Sequence, residues 1–467
     1  MPPKQRAPIT RATTLRGIPN AFRAEPLSAN EMQFYSGALD KHRNNFLQRA
    51  VKDDLLESAE QGFFFKGVLY GNRGNGKSTE INRLLTDPAI KEKFLVVRLD
   101  GLNQLNPQTF GVADVIILLG INLIVEAQRK CQELGKAFHE APIMENDLQK
   151  ELAPFFPHLQ NKIQKGETIQ AEVQVNVLSL LKLGLRRDST EKADLASESE
   201  TLENLIAFLA RKVTIVSSHL PGYEMLVIGE NFDKDQIPKA LLEQTFVQYA
   251  PLFKTLPLHL FFTLPIPFVN SNDTKLPFDR DRQYAIYDIP VCFENHKPNP
   301  EGIAVLNELL EKRADTDLLF AEDALGLLLQ AASGDLHLLF TMIVTAGKHA
   351  RYRKEDHPET EEKILLADVK VAVSRELSVF RNRMGTVPGD SDPTTWESKK
   401  QKLRAIYENS PDAKIPDDAL YQLLSRRAVL YFNGKGRYGV HPLAVEMLRE
   451  QFSADATFTY KGGGVDL

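Results

Sequence analysis

An α/β fold built around a parallel β-sheet is what this sequence of 467 residues predicts. Short apolar runs, each about the length of one strand, alternate with stretches in which apolar residues recur at helical spacing. That alternation is typical of parallel strands joined by right-handed helical crossovers. A glycine-rich loop lies between the first apolar run and the helix after it. Beyond residue 300 the pattern turns helical and ends in a predicted hairpin, so smaller domains are expected to follow the sheet.

Length and composition predict a soluble chain of two to four domains. Charged residues make up 25% and hydrophobic residues 43% of the sequence, as in ordinary globular proteins. The net charge of −5 argues against a surface that is basic throughout. Two cysteines, Cys131 and Cys292, exclude a disulfide framework and favour a reducing compartment, so a cytoplasmic protein is expected. No secretory signal and no apolar run of membrane-spanning length is visible, and no membrane partner is expected.

The glycine-rich loop covers residues 71–79, and its first eight residues fit the spacing G-x-x-x-x-G-K-[ST]. The apolar run 63–70 before it predicts a buried strand, and residues 80–85 after it continue at helical spacing. Glycines let the backbone turn tightly and point its N–H groups inward, and the start of the helix adds partial positive charge. Strand, loop and helix together predict a cradle for the phosphates of a nucleotide.

Two side chains of the loop carry specific expectations. Lys77 can reach the β- and γ-phosphates, and the Ser78 hydroxyl can ligate Mg²⁺, whereas the neighbouring Thr79 is less suited to the metal. The predicted nucleotide-binding residues of the loop are Gly71, Asn72, Arg73, Gly74, Asn75, Gly76, Lys77, Ser78 and Thr79.

Acidic residues follow a later apolar strand, at residues 225–228. Glu230 and Asp233 come directly after it, and an acid at a strand tip can hold the water shell of Mg²⁺ or orient the attacking water. A further buried strand, residues 258–263, ends in Thr263. Glu230, Asp233 and Thr263 are therefore the predicted catalytic residues, with Glu230 also a predicted metal ligand.

The remaining pattern predicts the domain organisation. The first residues are basic and rich in proline, which indicates a disordered tail, with a basic arm for nucleic acid as the alternative. The predicted domains are a tail at 1–29, a core at 30–295 with an insertion at about 135–200, a helical domain at 296–384, a C-terminal domain at 394–455 and a flexible end at 456–467. In the C-terminal domain, two helices precede strands at 428–432 and 437–441, and Asn433-Gly434 between the strands favours a hairpin.

With these motifs the chain resembles the AAA+ and STAND-type P-loop ATPases, especially the origin-recognition-like branch, over about residues 30–455. The resemblance implies a P-loop NTPase αβα core with a parallel sheet, followed by a helical lid and a winged-helix domain. It implies that residues 71–78 are Walker A, that the strand before Glu230 and Asp233 is Walker B, and that Thr263 is the sensor-1 position. It also implies binding of ATP or ADP with Mg²⁺.

The sequence departs from that family pattern at two places. Gly229-Glu230-Asn231 stands where two acids are usual, so Glu230 either replaces the metal-linked acid or serves as the catalytic base beside an empty position. The lid motif G-D-x-R corresponds to residues 334–337, and His337 stands where the sensor-2 arginine is expected. A mostly neutral imidazole predicts a weaker grip on the γ-phosphate, and a helix-surface residue without a role is the alternative.

Basic residues suggest further contacts. Arg426, Arg427, Lys435 and Arg437 surround the predicted hairpin with no acid among them, which fits DNA phosphates, another protein or the ATPase core. Three arginines are candidates for the residue that one subunit would insert into the nucleotide site of its neighbour: Arg280, Arg282 and Arg313.

Three functions are open from the sequence. The first is an ATP-hydrolysing switch that forms a homo-oligomer or controls a partner effector, in antiviral defence against phage or in handling mobile DNA. The second is an ATPase that binds and remodels DNA through the winged helix. The third is a nucleotide-bound scaffold with negligible hydrolysis.

Overall fold

The computed structural model describes residues 7–42, 47–136, 198–293, 296–385, 394–432, 437–453, 455 and 458–465. Nearly all of the predicted insertion lies outside the described residues. So do the turn Asn433-Gly434 and most of residues 385–393, which lie between the predicted helical and C-terminal domains.

A five-stranded sheet carries the fold, in the order β2-β3-β4-β1-β5. Its strands are β1 (Lys66–Gly71), β2 (Phe94–Asp100), β3 (Glu224–Glu230), β4 (His259–Leu264) and β5 (Gln283–Ile286). The pairs β1 with β4, β2 with β3 and β3 with β4 are all parallel, so the carboxyl ends of these four strands share one edge. The predicted P-loop type of core, an α/β fold with a parallel sheet, is confirmed.

The chain divides into two compact units. The sheet unit consists of Arg49–Tyr70 and Thr86–Tyr284, and the loop unit consists of Met1–Gln48, Gly71–Leu85 and Ala285–Leu467. The division falls within β1, just before the glycine-rich loop, and within β5. The domain boundaries expected from the sequence remain predictions.

The sheet unit is built around strands that are buried almost without interruption. Its helices are most of α3 (Leu47–Glu60), then α5 (Pro88–Lys93), α6 (Val112–Glu133), α7 (Glu198–His219), α8 (Lys239–Glu243), α9 (Ala250–Thr255) and α10 (Ile266–Asn272). Helix α6 is apolar on most of its circumference because it packs on both β2 and α7. The ring of Phe262 is surrounded by other aromatic rings, those of Phe232, Phe246, Phe253 and Phe278.

The loop unit is mainly helical. Its helices are α1 (Ile18–Ala21), α2 (Leu39–His42), α4 (Lys77–Leu84), α11 (Pro300–Arg313), α12 (Thr316–Leu319), α13 (Glu322–Ala332), α14 (Leu336–Asp356), α15 (Leu366–Met384), α16 (Trp396–Tyr407), α17 (Asp418–Ser425) and α18 (Pro442–Gln451). Helix α15 packs on α13 and α14, and α16 packs on α17 and α18.

The expected disordered tail is wrong for residues 7–29. Ile18 and Phe22 are buried, and the backbone of Ala12 exchanges hydrogen bonds of 2.8 Å with Arg313 and Asp315. The many basic and proline residues suggested a tail, whereas the few apolar residues among them find partners about 300 positions away along the chain. A pattern confined to one short segment cannot reveal such partners.

The predicted hairpin is confirmed as an antiparallel pair, β6 (Val429–Phe432) with β7 (Arg437–Val440). Helix α18 follows it and was not predicted. His441 caps this helix and Pro442 occupies its first turn, which are ordinary helix-start signals. The winged-helix interpretation of residues 394–455 remains a prediction.

Between residue 28 and β1 lie a 3-10 helix (Ala29–Phe34) and the helices α2 and α3. One expectation for β1 itself needs correction. The strand begins at Lys66 and not at Phe63, which is 63% exposed.

Candidate nucleotide site

The glycine-rich loop has the local geometry that its sequence predicts. It follows β1 directly and ends where α4 begins, and Gly74 and Gly76 have φ values of 83° and 85°. Those values lie in the left-handed region, which glycine adopts without steric cost. A β-carbon on Gly71 would lie 2.6 Å from the carbonyl oxygen of Ile286, so this position also requires glycine.

Lys77 lies inside the loop. Its ammonium donates hydrogen bonds to the carbonyl oxygens of Gly71 and Asn72, at 2.8 and 2.9 Å, and the residue is 6% exposed. A buried cation enclosed by a curled backbone is the arrangement that accommodates a polyphosphate, because the anion supplies the balancing charge. The loop residues therefore fit ATP.

A residue that sequence reasoning missed holds the loop in shape. Asp288, two positions beyond β5, accepts hydrogen bonds from the side-chain amides of Asn72 and Asn75, at 2.5 and 2.7 Å. It also accepts from the backbone N–H of Tyr431, at 2.7 Å, and its own N–H donates to the carbonyl oxygen of Tyr431. The carboxylate is 1% exposed, and burial raises its pKa. Because β6 contains Tyr431, one side chain joins the loop to the C-terminal hairpin.

The two hydroxyl residues after Lys77 differ in their contacts. Thr79 Oγ1 accepts a hydrogen bond from the backbone N–H of Leu27, at 3.2 Å. That contact ties the start of α4 to the N-terminal segment. Ser78 is half-buried at the second position of α4, where a hydroxyl could ligate Mg²⁺ bound to phosphates.

The lid motif lies against the loop. Asp335 caps α14 by accepting from the N–H of Leu338, at 2.8 Å. A β-carbon on Gly74 would lie 2.6 Å from Cβ of His337, so the backbone of α14 reaches the loop while the His337 side chain stays exposed. The same point lies 3.1 Å from Nη1 of Arg427. From the sequence, the partner of Arg427 was open among DNA phosphates, another protein and the ATPase core.

The predicted acids belong to the sheet unit. Glu230 ends β3, and its Oε2 lies 2.7 Å from Nη1 of Arg98. Asn231 turns the chain with a φ of 62°, and Asp233 follows with 9% exposure. Asp100 is paired with Glu230 in the sheet, so two carboxylates lie side by side at the carboxyl edge.

The missing acid at position 229 has a steric cause. A β-carbon on Gly229 would lie 2.2 Å from the ring of Phe262, which its aromatic neighbours hold in place. No larger residue fits there without displacing the core. Thr263 is 1% exposed, and its hydroxyl donates to the carbonyl oxygen of Gly229 at 3.3 Å, so its hydroxyl joins β4 to β3.

Comparison with known proteins finds similarity in structure alone. No protein family and no curated protein matches the sequence. Solved structures match this chain at low sequence identity.

Three solved structures illustrate that similarity. The Walker-type ATPase of Pyrococcus abyssi is 15% identical, with a TM-score of 0.37, and the match covers 92% of this chain and 99% of that one. The ORC2 protein of Aeropyrum pernix, solved as ADPNP–ADP complexes, is 13% identical, with a TM-score of 0.39 and coverage of 88% and 94%. The ORC1 protein of the same organism, solved in complex with DNA, is 14% identical, with a TM-score of 0.35 and coverage of 88% and 94%. Such low identities leave residue roles to the contacts of this chain.

The four basic residues around the predicted hairpin do not form one open basic surface among the described residues. Arg427 is 7% exposed and paired with Asp335, so it does not belong to an open basic face of the hairpin. Arg426 donates to the carbonyl oxygen of Arg383. Lys435 and the side chain of Arg437 lie outside the described part of the chain.

The three arginines considered for a neighbouring subunit differ in how exposed they are. Arg313 is 5% exposed, donates to the carbonyl oxygen of Ala21 and lies over the ring of Phe340, so it is buried within its own unit and does not suit that role. Arg280 and Arg282 pair with Asp273 and Asp279.

None of the helices described is long and apolar enough to cross a membrane.

Proposed function

We propose that this protein binds ATP with Mg²⁺ at residues 71–79 and hydrolyses it as a molecular switch. The observation that carries the proposal is the glycine loop itself, with Lys77 buried inside it and Asn72 and Asn75 fixed by Asp288. A loop that is already shaped and cationic before any ligand arrives loses little entropy when a polyphosphate binds.

Each predicted residue then has a chemical task. Lys77 balances the charge of the β- and γ-phosphates, and Ser78 is the proposed protein ligand of Mg²⁺. The metal, when bound, neutralises charge that develops on the phosphates. Glu230, with Asp233 as the second acid, would orient the attacking water. Thr263 keeps the proposed sensor-1 position, and His337 lies on the loop without the donor fork of an arginine.

The switch would act through the C-terminal hairpin. Asp288 contacts both the loop and Tyr431, so a change at the phosphates reaches β6 through one side chain. Self-association, or control of an effector in phage defence or mobile-DNA handling, is the proposed use of that change. The two cysteines are free thiols, which suits the cytoplasm.

Nucleotide binding is tested with Lys77→Ala and a fluorescent ATP analogue. Losing a charged donor to phosphate is expected to weaken binding by about 10- to 100-fold. Lys91→Ala, an exposed lysine in α5, is the matched control and should bind as the wild type does. Equal affinity in Lys77→Ala and wild type would show that the loop is not the nucleotide site.

Hydrolysis is tested separately, by phosphate release from Glu230→Gln and Asp233→Asn. Both keep side-chain size, so binding should persist while turnover falls, and more so for Glu230→Gln. The opposite ranking would transfer the main acidic role to Asp233. Binding without any wild-type turnover would favour the scaffold function.

A further inference from the structure

Arg427 is a basic side chain that lies beside the loop without belonging to it, and the proposed function has not used it. It lies two residues after the end of α17 and two residues before β6, and its φ of 63° lies in the left-handed region that residues other than glycine rarely adopt. A strained backbone persists only where the surrounding contacts enforce it. Here the strain directs a guanidinium from the C-terminal part of the chain toward the phosphate loop.

One side of the guanidinium is fixed. Nη1 lies 2.5 Å from Oδ2 of Asp335, and Asp335 is itself 3% exposed and caps α14. Asp335 belongs to the same lid motif whose last position is His337 and not arginine. Residues 334–337 therefore keep the carboxylate of Asp335, and this carboxylate holds Arg427, which comes from the C-terminal part of the chain.

The other side of the guanidinium is unsatisfied. Nε and Nη2 of Arg427 are buried and have no hydrogen-bond partner among the described residues. The side chain is 9% exposed, so solvent does not replace those partners readily. A β-carbon on Gly74 would lie 3.1 Å from Nη1 and 3.5 Å from Nη2, which places this fork beside Gly74 of the loop.

We propose that Arg427 binds the terminal phosphate of a nucleoside triphosphate and takes the place of the arginine missing at residue 337. This rests on the proposed ATP site. The N–H groups of the loop enclose the inner phosphates, so a donor outside the loop at Gly74 meets the phosphate that extends beyond it. A planar fork with unused donors matches phosphate oxygens, and Asp335 keeps its orientation before the ligand arrives.

The proposal predicts discrimination between ATP and ADP. Fluorescent ATP and ADP analogues are titrated into the full-length wild type, Arg427→Lys and Arg427→Ala. Arg427→Ala is expected to weaken ATP binding by about 10- to 100-fold and ADP binding by less than about threefold, with Arg427→Lys in between. Arg426→Ala, the neighbouring arginine that bonds to the carbonyl oxygen of Arg383, is the control and should leave both affinities unchanged.

A folding defect is separated from loss of the phosphate contact by a second variant. The double change Asp335→Asn with Arg427→Gln removes both buried charges together, and asparagine can still cap α14. It should melt near the wild-type temperature and still lose ATP affinity selectively. Wild-type ATP affinity in this double variant, or an equal loss of ATP and ADP binding, would overturn the role of Arg427 while leaving the ATP site intact. A wild type that binds neither nucleotide would overturn both.

Discussion

At the scale of single residues, the loop depends on a carboxylate that lies 216 positions after Asn72 in the chain. Asp288 gathers three donors, two amide groups from the loop and one N–H from β6. Its charge is tolerated in the interior because every one of those donors points at it. The residue shapes the loop without being one of the loop's own positions.

Replacing Asp288 with asparagine should loosen the loop. An amide offers one acceptor and brings two donors, so at least one of the three present donors loses its partner. The expected cost is about 1–3 kcal/mol of unfolding free energy, together with weaker ATP binding. Thermal unfolding and ATP titration measure the two effects, and the exposed Asp281→Asn is the control. Unchanged stability and affinity would show that Asp288 is not needed for the loop.

The loop was predictable from the sequence because its signal is local: glycines, lysine and serine at fixed spacing. The place of Asp288 at the loop was not predictable, because nothing near it in sequence marks it. Arg427 was noticed as one of the basic residues around the hairpin, but its partner stayed open. Each acquires its role by approaching the loop in space. Gly229 illustrates the same limit, since the reason for its glycine is the ring of Phe262 on a neighbouring strand.

At the scale of elements, the apolar runs 63–70, 225–228 and 258–263 predicted β1, β3 and β4, because burial of a strand shows in its own residues. Helix α18 was missed because its start adjoins the hairpin. His441 caps it, with Nδ1 accepting from the N–H of Leu443 at 3.2 Å, and its ring stacks on Phe380 at 5.4 Å. A fully buried imidazole is therefore part of this helix start.

His441 should make stability depend on pH. Burial lowers its pKa from 6.5 to about 4, with Arg427 acting in the same direction and Asp335 opposing. Between those values the unfolded chain binds the extra proton, so stability falls as pH falls. From pH 7 to pH 5 the expected loss is about 2 kcal/mol.

His441→Asn keeps an acceptor at the helix start and removes the titrating group. Urea unfolding at pH 7 and pH 5 should show a smaller acid-induced loss in this variant than in the wild type. The exposed His357→Asn should lose as much as the wild type. Equal losses in wild type and His441→Asn would show that His441 does not contribute to the pH dependence.

At the scale of the molecule, the loop unit brings together segments that are far apart in sequence. The phosphate loop, the lid motif and the C-terminal hairpin meet through Asp288, Asp335 and Arg427. Nucleotide binding at the loop should therefore change the amide protection of β6. A site confined to the loop would leave β6 unaffected.

Hydrogen exchange tests that coupling. Saturating ATP is expected to slow exchange of the amides of Asp288 and Tyr431, which bond to each other's segments, and Lys77→Ala should abolish the effect. Amides in α7 serve as the internal control and should not respond. Protection of the loop alone, with Asp288 and Tyr431 unchanged, would show that the hairpin does not sense the nucleotide.

The N-terminal segment has a consequence for synthesis of the chain. Arg11 bonds to a carbonyl 300 residues later, and Ala12 pairs with the backbone beside it. At about 5–20 residues per second, a ribosome needs roughly 15–60 s to deliver that partner. Ile18 and Phe22, which pack on Gly347 and Phe340, emerge earlier and stay without these native contacts throughout that interval. The segment that contains Ile18 and Phe22 is thus made long before it can complete its packing, and its apolar side chains are what a chaperone would meet.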